Sequence, residues 1–183
     1  WSSDVCSSDL KKYNKVAVAG SIYVERSNGR FNASLVYENG NYLGEYKKQN
    51  LVPLEIAWGI KEDYSAQPIK TSRGNIGICI CYDLNDPKVA MSLKKKGADY
   101  IVAPSSGWRP YPWYPFDRKK ECPQIYRALE NDIHIFRSYC CGFIFPGLFF
   151  QGHSMIVGKY GEILKESASI FKQEILFLDI RLD

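Results

Sequence analysis

The sequence is poor in histidine and methionine, with two residues of each, and it has no long uninterrupted hydrophobic run. Its two histidines and its cysteines at positions 6, 79, 81, 122, 140 and 141 do not show the ligand spacing of a zinc site. The longest apolar stretch, residues 140–150, is interrupted by Gly142, Pro146 and Gly147 and is too short to cross a bilayer. We therefore expect no metal site and no membrane span.

The excess of positive over negative charge is also small, since the net charge is only +4 over 183 residues. The densest basic clusters, residues 94–96 and 118–120, are short, which is more typical of a solvated helix face than of a nucleic-acid surface. A composition that is 45% hydrophobic and 14% aromatic supports one folded domain and excludes a disordered chain. The cysteines do not form a disulfide pattern, so we expect reduced thiols and a cytoplasmic protein.

The first ten residues, WSSDVCSSDL, differ in composition from the rest of the chain. They are rich in Ser and Asp, have no hydrophobic period, and resemble a translated sequencing adapter. We therefore predict a non-native tail over residues 1–10 and one domain over residues 11–183. A natural polar tail is the alternative interpretation.

Hydrophobic periodicity predicts an α/β domain with a mixed sheet. The dipeptide Asn39-Gly40 between two β-rich arms predicts a hairpin, and the continuous apolar runs 15–23 and 75–81 predict buried strands. The full set of predicted strands is 15–23, 32–37, 42–46, 75–81, 98–103, 133–139, 149–157, 163–165 and 174–180.

A helix is predicted between strands 75–81 and 98–103. Asp86 is a favourable N-cap, Pro87 suits the first turn, and Gly97 ends the helix. Strand, helix and strand form a βαβ unit, which requires the two strands to be parallel.

A second helix is predicted over residues 121–131, and residues 48–58 are expected to be irregular because Pro53 breaks regular structure. The side chains expected to point inward from the second helix are Ile125, Ala128 and Leu129.

The segment GNIGICICYDLNDP, residues 74–87, places Cys81 at the end of a buried strand and just before a turn into a helix. At that position α/β enzymes expose a nucleophile, and the following backbone N–H groups face the developing oxyanion. The start of a helix also favours the thiolate form. By its residue type alone, Cys81 is either a nucleophile or an ordinary buried cysteine.

Three other segments are ambiguous when each is taken alone. Lys47 and Lys48, in YKKQNLVPLE, either bring an ammonium group to the sheet edge or are two solvated lysines. The RALEN pattern at 127–131 is also an ordinary surface charge pattern, and the glycines of QGHSMIVGKYGEIL at 151–164 suit turns.

Taken together and in this order, these segments resemble the nitrilase superfamily, the carbon-nitrogen hydrolases. The resemblance covers essentially residues 15–180, and Gly20 and Asn32 match the stretch that precedes the lysine. The matching motifs are YKKQNL (46–51), Glu55, GNIGICICYD (74–83), GAD (97–99), RALEN (127–131), Gly152 with Ser154, and GE (161–162).

The resemblance implies a fold and a chemistry. The fold is the mixed-sheet αββα sandwich of this family, of which one chain supplies an α/β half and a homodimer or larger homo-oligomer commonly completes the rest. The chemistry is thiol acyl transfer on a small-molecule amide, nitrile or carbamoyl group, without a metal or an organic cofactor.

The resemblance also implies a role for individual residues. Cys81 attacks the substrate carbon, while Lys48 and the backbone N–H of Tyr82 stabilise the oxyanion. Glu55 and Glu130 are the expected supporting residues. Lys47 is the alternative to Lys48, but the register against Leu51 favours Lys48.

The chain departs from the family pattern in two places. The catalytic glutamate of the family lies in a P-E segment after the first strand, and no such segment occurs here, since Glu25 and Glu38 have other contexts. Together with the adapter-like start, this predicts a carboxyl-terminal fragment whose general base lies upstream and which is inactive as given. In addition, Glu55 follows Lys48 one position closer than the family pattern.

Two other functions remain open from the sequence: an acyl-transfer domain of the apolipoprotein N-acyltransferase type, and a catalytically dead truncated paralogue. The substrate is not encoded in a recognisable motif. Trp108 is the predicted substrate-binding residue, because ligands collect beyond the carboxyl ends of parallel strands. Tyr111, Trp113 and Tyr114 follow it, and this aromatic loop either walls a pocket or packs at a dimer interface.

Overall fold

Strands dominate the chain, and the helices lie between them. A computed structural model describes residues 10–110 and 122–181. The strands are β1 (Val16–Arg26), β2 (Gly29–Glu38), β3 (Asn41–Lys47), β4 (Ile69–Thr71), β5 (Gly74–Ile78), β6 (Tyr100–Ser105), β7 (Trp108–Pro110), β8 (His134–Tyr139), β9 (Phe143–Phe145), β10 (Leu148–Phe150), β11 (Met155–Val157) and β12 (Ile163–Glu166). The helices that frame the site are α1 (Pro53–Ala57), α2 (Pro87–Lys95) and α3 (Pro123–Asn131), and a 3₁₀ turn covers Cys81–Asn85.

The larger sheet is mixed and runs in the order β12-β11-β8-β6-β5-β4. Its central strands β5, β6 and β8 are parallel, and the outer strands pair antiparallel. Helix α2 joins β5 to β6, so the predicted βαβ unit is confirmed. Asp86 caps α2 by accepting a hydrogen bond of 2.9 Å from the N–H of Lys88, and Gly97 ends it at a φ of +92°.

The two faces of this sheet pack against different layers. Alternate residues Ile101 and Ala103 of β6 lie in a cluster with α2 and α3. Their neighbours Tyr100 and Val102 pack instead against a cluster that contains Val36 of β2. This is the period-two alternation of a strand that is buried on both faces. The order of layers is therefore helices, mixed sheet and a second, smaller sheet.

The second layer is a three-stranded antiparallel sheet in the order β1-β2-β3. The predicted hairpin is confirmed, because Asn39 and Gly40 form its turn with φ values of +51° and +82°. A strand is present where one was predicted at 15–23, but the prediction that it is buried is wrong. Strand β1 runs on to Arg26 and is half-buried to exposed, and Val16 and Val18 near its start pack against the core between the two sheets.

Residues 48–58 are not irregular throughout, which corrects the sequence prediction. Pro53 begins the short helix α1 rather than breaking regular structure. Proline is suited to the first turn of a helix because no N–H is needed there.

The inward face of the second predicted helix also needs correction. Ala128 is buried and Ile125 packs on the same core, but Leu129 is 57% exposed. Gln124 is buried instead, because it lies about one helical turn before Ala128 on the same face of the helix. The side chain of Leu129 points about 100° away from that of Ala128.

Two predicted strands differ in the structure. Residues 149–157 divide into β10 and β11, because Gly152 turns the chain at a φ of +62° and a Cβ there would lie 2.7 Å from the Cα of Ile170. Residues 174–180 form no ladder with the described strands, so this segment does not extend the sheet as predicted. Ile175 and Phe177 are 76% and 73% exposed, and a segment with no buried face lacks the packing that fixes a strand register.

Several sequence predictions fall outside the residues that the structure describes. These are the tail over residues 1–9, the basic cluster 118–120, and the aromatic residues Tyr111, Trp113 and Tyr114. Within residues 10–110 and 122–181, the helices are all too short or too polar to cross a membrane.

Candidate active site

Cys81 lies where the chain leaves the large sheet. Strand β5 ends at Ile78, and Cys81 opens the 3₁₀ turn with a φ of +49°. A non-glycine residue in this left-handed region costs about 1–2 kcal/mol, and such strain is concentrated at functional turns. The half-buried Cys81 packs on the side of the small sheet, where the sharp turn presents its thiol.

Lys48 and Glu55 form a buried ion pair. The Lys48 Nζ lies 2.6 Å from the Glu55 Oε2. The same carboxylate accepts hydrogen bonds from the side-chain amide of Asn32 at 2.6 Å and from the N–H of Val52 at 2.9 Å. Burial raises the pKa of Glu55, but the hydrogen bonds from Lys48, Val52 and Asn32 outweigh it, and the pKa is lowered. The pair is therefore charged, and the lysine ammonium is held in one place.

Asp83, on the turn that begins at Cys81, is fully buried and accepts four hydrogen bonds. Its Oδ1 accepts from the backbone N–H groups of Gln49 at 3.2 Å and Asn50 at 2.7 Å. Its Oδ2 accepts from the Tyr46 hydroxyl at 2.8 Å and the N–H of Ile80 at 2.9 Å. Burial raises the pKa of Asp83 despite these donors, and burial followed by the Asp83 charge raises the pKa of Tyr46 well above its usual range.

The segment that carries Lys48 is thereby attached to the turn that carries Cys81. Both lie at the edge where the parallel strands β5, β6 and β8 have their carboxyl ends. Cys140, which follows β8, donates its N–H to the carbonyl of Ser105 at 3.1 Å. Burial, and after it the neighbouring Cys141 and Cys81, raises the pKa of the Cys140 thiol.

The structure places the other predicted site residues as follows. Tyr82 stands next to Cys81 with its side chain nearly half exposed, and Trp108 begins β7 just beyond the end of β6 with 55% of its surface exposed. Lys47 points elsewhere, with its Nζ 3.3 Å from Asp63. Glu130 is not brought to the site, because it pairs with Arg127 at 3.2 Å on α3, across the large sheet from Lys48.

Sequence reasoning quoted Asn32, Tyr46 and Asp83 as motif positions but gave them no role. The structure makes all three hydrogen-bond partners of the site. The signal was available in the motifs, since Tyr46 precedes Lys48 by two positions and Asp83 follows Cys81 by two. Over the described part of the chain, no three His, Cys, Asp or Glu side chains are grouped to hold a metal ion.

Comparison with known proteins gives consistent matches. A sequence profile of the carbon-nitrogen hydrolases matches residues 5–183. The omega-amidase NIT3 of Saccharomyces cerevisiae is 25% identical over 188 residues, which are 94% of this chain and 62% of that protein. The chain thus spans less than two thirds of that relative.

Solved structures share the fold. A carbon-nitrogen hydrolase from Helicobacter pylori G27 superposes with a TM-score of 0.82 at 24% identity, covering 93% of this chain and 64% of that one. An amidase variant from Nesterenkonia sp. AN1 carries the acetamide moiety of fluoroacetamide on its active-site cysteine. It superposes with a TM-score of 0.74 at 20% identity, covering 92% of this chain and 63% of that one. The mixed α/β architecture is that of the nitrilase fold.

Proposed function

This chain belongs to the carbon-nitrogen hydrolase family, and from that premise we propose that it carries the thiol acyl-transfer centre of an amidase or nitrilase. The Sγ of Cys81 forms a bond to the carbonyl carbon of an amide, the C–N bond breaks, and the nitrogen leaves with a proton. Water then attacks the thioester, which releases the acid and returns the thiol.

Lys48 is the proposed electrophilic residue. A buried ammonium held by Glu55 is a preorganised positive charge, which stabilises a developing oxyanion more strongly than a solvated lysine does. The backbone N–H of Tyr82, at the start of the turn, is the proposed second donor.

Glu55 is not suited to carry the protons. Both of its oxygens accept hydrogen bonds, and its lowered pKa disfavours the protonated form. We therefore assign Glu55 to holding Lys48 in place. We assign the proton transfers to another carboxylate.

The proposed substrate is a small molecule with an amide, nitrile or carbamoyl group. The relative from yeast is named an omega-amidase and the Nesterenkonia protein an amidase, which favours an amide. The proposed assembly is a homodimer or larger homo-oligomer. The observation that carries the proposal is the buried Lys48–Glu55 pair, attached through Asp83 to the turn of Cys81.

Fluoroacetamide tests the proposal directly. Fluoride is a poor leaving group, so a thiol without a bound amide reacts slowly, whereas a nucleophile beside an amide site reacts fast. We expect peptide mass spectrometry to find the acetamide moiety on Cys81 well before it appears on the exposed Cys140. Equal labelling of both thiols would reflect exposure alone and would contradict the assignment, and Cys81→Ser is the control.

A further inference from the structure

We propose that Asp83 is a positioning residue that holds Lys48 at a fixed place relative to Cys81. The inference rests on the proposed function, because it gives Asp83 an effect only through Lys48. Asp83 itself does not contact a substrate in this proposal.

The hydrogen bonds of Asp83 surround Lys48 in the sequence. Its carboxylate binds the Tyr46 hydroxyl two positions before Lys48 and the N–H groups of Gln49 and Asn50 directly after it. Lys47 and Lys48 lie between these donors, and the side chain of Lys48 turns to Glu55 instead. One carboxylate therefore sets the path of the chain on both sides of the lysine.

The same carboxylate is part of the nucleophile turn. The Oδ2 of Asp83 accepts from the N–H of Ile80, and the N–H of Asp83 donates to the Ile80 carbonyl at 3.0 Å. This reciprocal pair closes the turn around Cys81. The lysine segment and the cysteine turn thus share one buried anion, although 35 positions in sequence separate Asp83 from Lys48 (83 minus 48).

The burial of Asp83 makes the link rigid. A buried carboxylate is tolerated only where donors satisfy it, so losing one donor leaves a costly unpaired charge. Tyr46 adds to this rigidity because its ring is buried in the core between the sheets, beside Ile76 and Ile78. If these donors moved away, the carboxylate would be left without hydrogen bonds in the apolar core.

Replacement by asparagine has a definite consequence. Asp83→Asn replaces one carboxylate oxygen with an NH₂ group, which cannot bond an N–H donor. The amide nitrogen then faces either the N–H of Ile80 or the N–H groups of Gln49 and Asn50, whereas the Tyr46 hydroxyl can rotate to accept from it. In either orientation the amide oxygen bonds the N–H groups of one segment only, so the link between the lysine segment and the cysteine turn is weakened. A misplacement of this kind costs on the order of 10²-fold in rate.

The test is a double-mutant cycle on acylation of the full 183-residue chain by p-nitrophenyl acetate, followed by intact mass. We expect Asp83→Asn to slow acetylation of Cys81 about as much as Lys48→Gln, and the double variant to be no slower than either. Asp86→Asn, directly after the same turn, is the matched control, because Asn caps a helix as well as Asp does. A merely structural Asp83 would instead give additive losses, and additivity would overturn the proposal.

Tyr46→Phe gives a second cycle if Asp83→Asn does not fold. It removes one donor with almost no change in shape, so we expect a smaller loss that again vanishes in the Lys48→Gln background. Tyr37→Phe, on the neighbouring strand β2, is its control. If Tyr46→Phe slows acetylation equally with and without Lys48, the link between Asp83 and the lysine is not functional.

Alkylation by iodoacetamide separates positioning from a general effect on the thiol. This reaction needs no oxyanion donor, so its rate at Cys81 should change less than threefold in Asp83→Asn. An equal loss in both reactions would overturn the positioning role. If Lys48→Gln itself has no effect on acetylation, it is the proposed function of Lys48 that fails, so the two failures are distinguishable.

Discussion

Cys79 and Cys81 lie on opposite sides of the large sheet, although they are two positions apart in one apolar run. Cys79 is fully buried among the residues that face α2 and α3, and Cys81 packs on the side of the small sheet. In a regular strand, residues i and i+2 share a face. The positive φ of Cys81 breaks that rule and separates a core thiol from a candidate nucleophile.

The two thiols should therefore differ in chemistry. Burial, and after it the Asp83 charge, raises the pKa of Cys79 well above its usual range, so it stays protonated. Cys81→Ser should abolish acetylation by p-nitrophenyl acetate, while Cys79→Ala should retain most of it and lose about 1 kcal/mol of stability. Intact mass after brief exposure measures the first effect, and thermal unfolding the second. Equal loss of acetylation in both variants would place the nucleophile elsewhere.

Lys47 and Lys48 provide a second contrast between neighbours. Lys48→Gln should slow acetylation of Cys81 by on the order of 10²-fold, because it removes a buried oxyanion donor. Lys47→Gln should cost little, since its ammonium faces Asp63 and the ring of Phe31. Rates of p-nitrophenol release measure both variants. A reversed ranking would mean that the assigned register is off by one.

The lowered pKa of Glu55 predicts a dependence of stability on pH. In the folded state the carboxyl binds its proton more weakly than in the unfolded chain, whose ordinary value is 4.5. Glu55 therefore stabilises the fold above about pH 4.5, and this contribution is lost as the pH falls through its lowered folded pKa. The melting temperature of the unsubstituted chain should exceed that of Glu55→Gln most at pH 7, and the difference should narrow in acid.

Asp83 contributes a dependence of stability on pH that is opposite to that of Glu55, because burial raises the pKa of Asp83 from 3.8. Acidification therefore favours the folded state at that position. The contribution of Asp83 cancels when the melting curves of Glu55→Gln and the unsubstituted chain are compared, because Asp83 is present in both. A gap that stays constant from pH 7 to pH 3 would contradict the charged Lys48–Glu55 pair.

The 183-residue chain is expected to be acylated once and then to stall. Activated esters can acylate the thiol without a general base, but release of the acyl group needs a base that activates water. The carboxylate of Glu55 is paired with Lys48, and that of Glu130 is paired with Arg127 on the other side of the large sheet. Steady-state ammonia release over a panel of amides measures turnover. Multiple turnovers would show that a glutamate in this chain, such as Glu25, Glu55 or Glu130, serves as the base.

Local patterns were sufficient for much of the fold. The hairpin at Asn39-Gly40 and the capped helix after Asp86 depend on residues that are close in sequence, so their turn and capping chemistry can be read directly. Ordered motifs also predict Cys81 and Lys48 as site residues. The position of a cysteine between a buried strand and a helix cap is itself a local feature.

Tertiary structure decided what those residues touch. Asp83 binds donors 33 to 37 positions away, and Asn32 reaches Glu55 across 23 positions. Glu130 looked equally suited to a supporting role, but α3 carries it to the far side of the sheet. Burial, hydrogen-bond partners and pKa depend on which layers pack together, and that packing brings side chains together that no spacing along the chain relates.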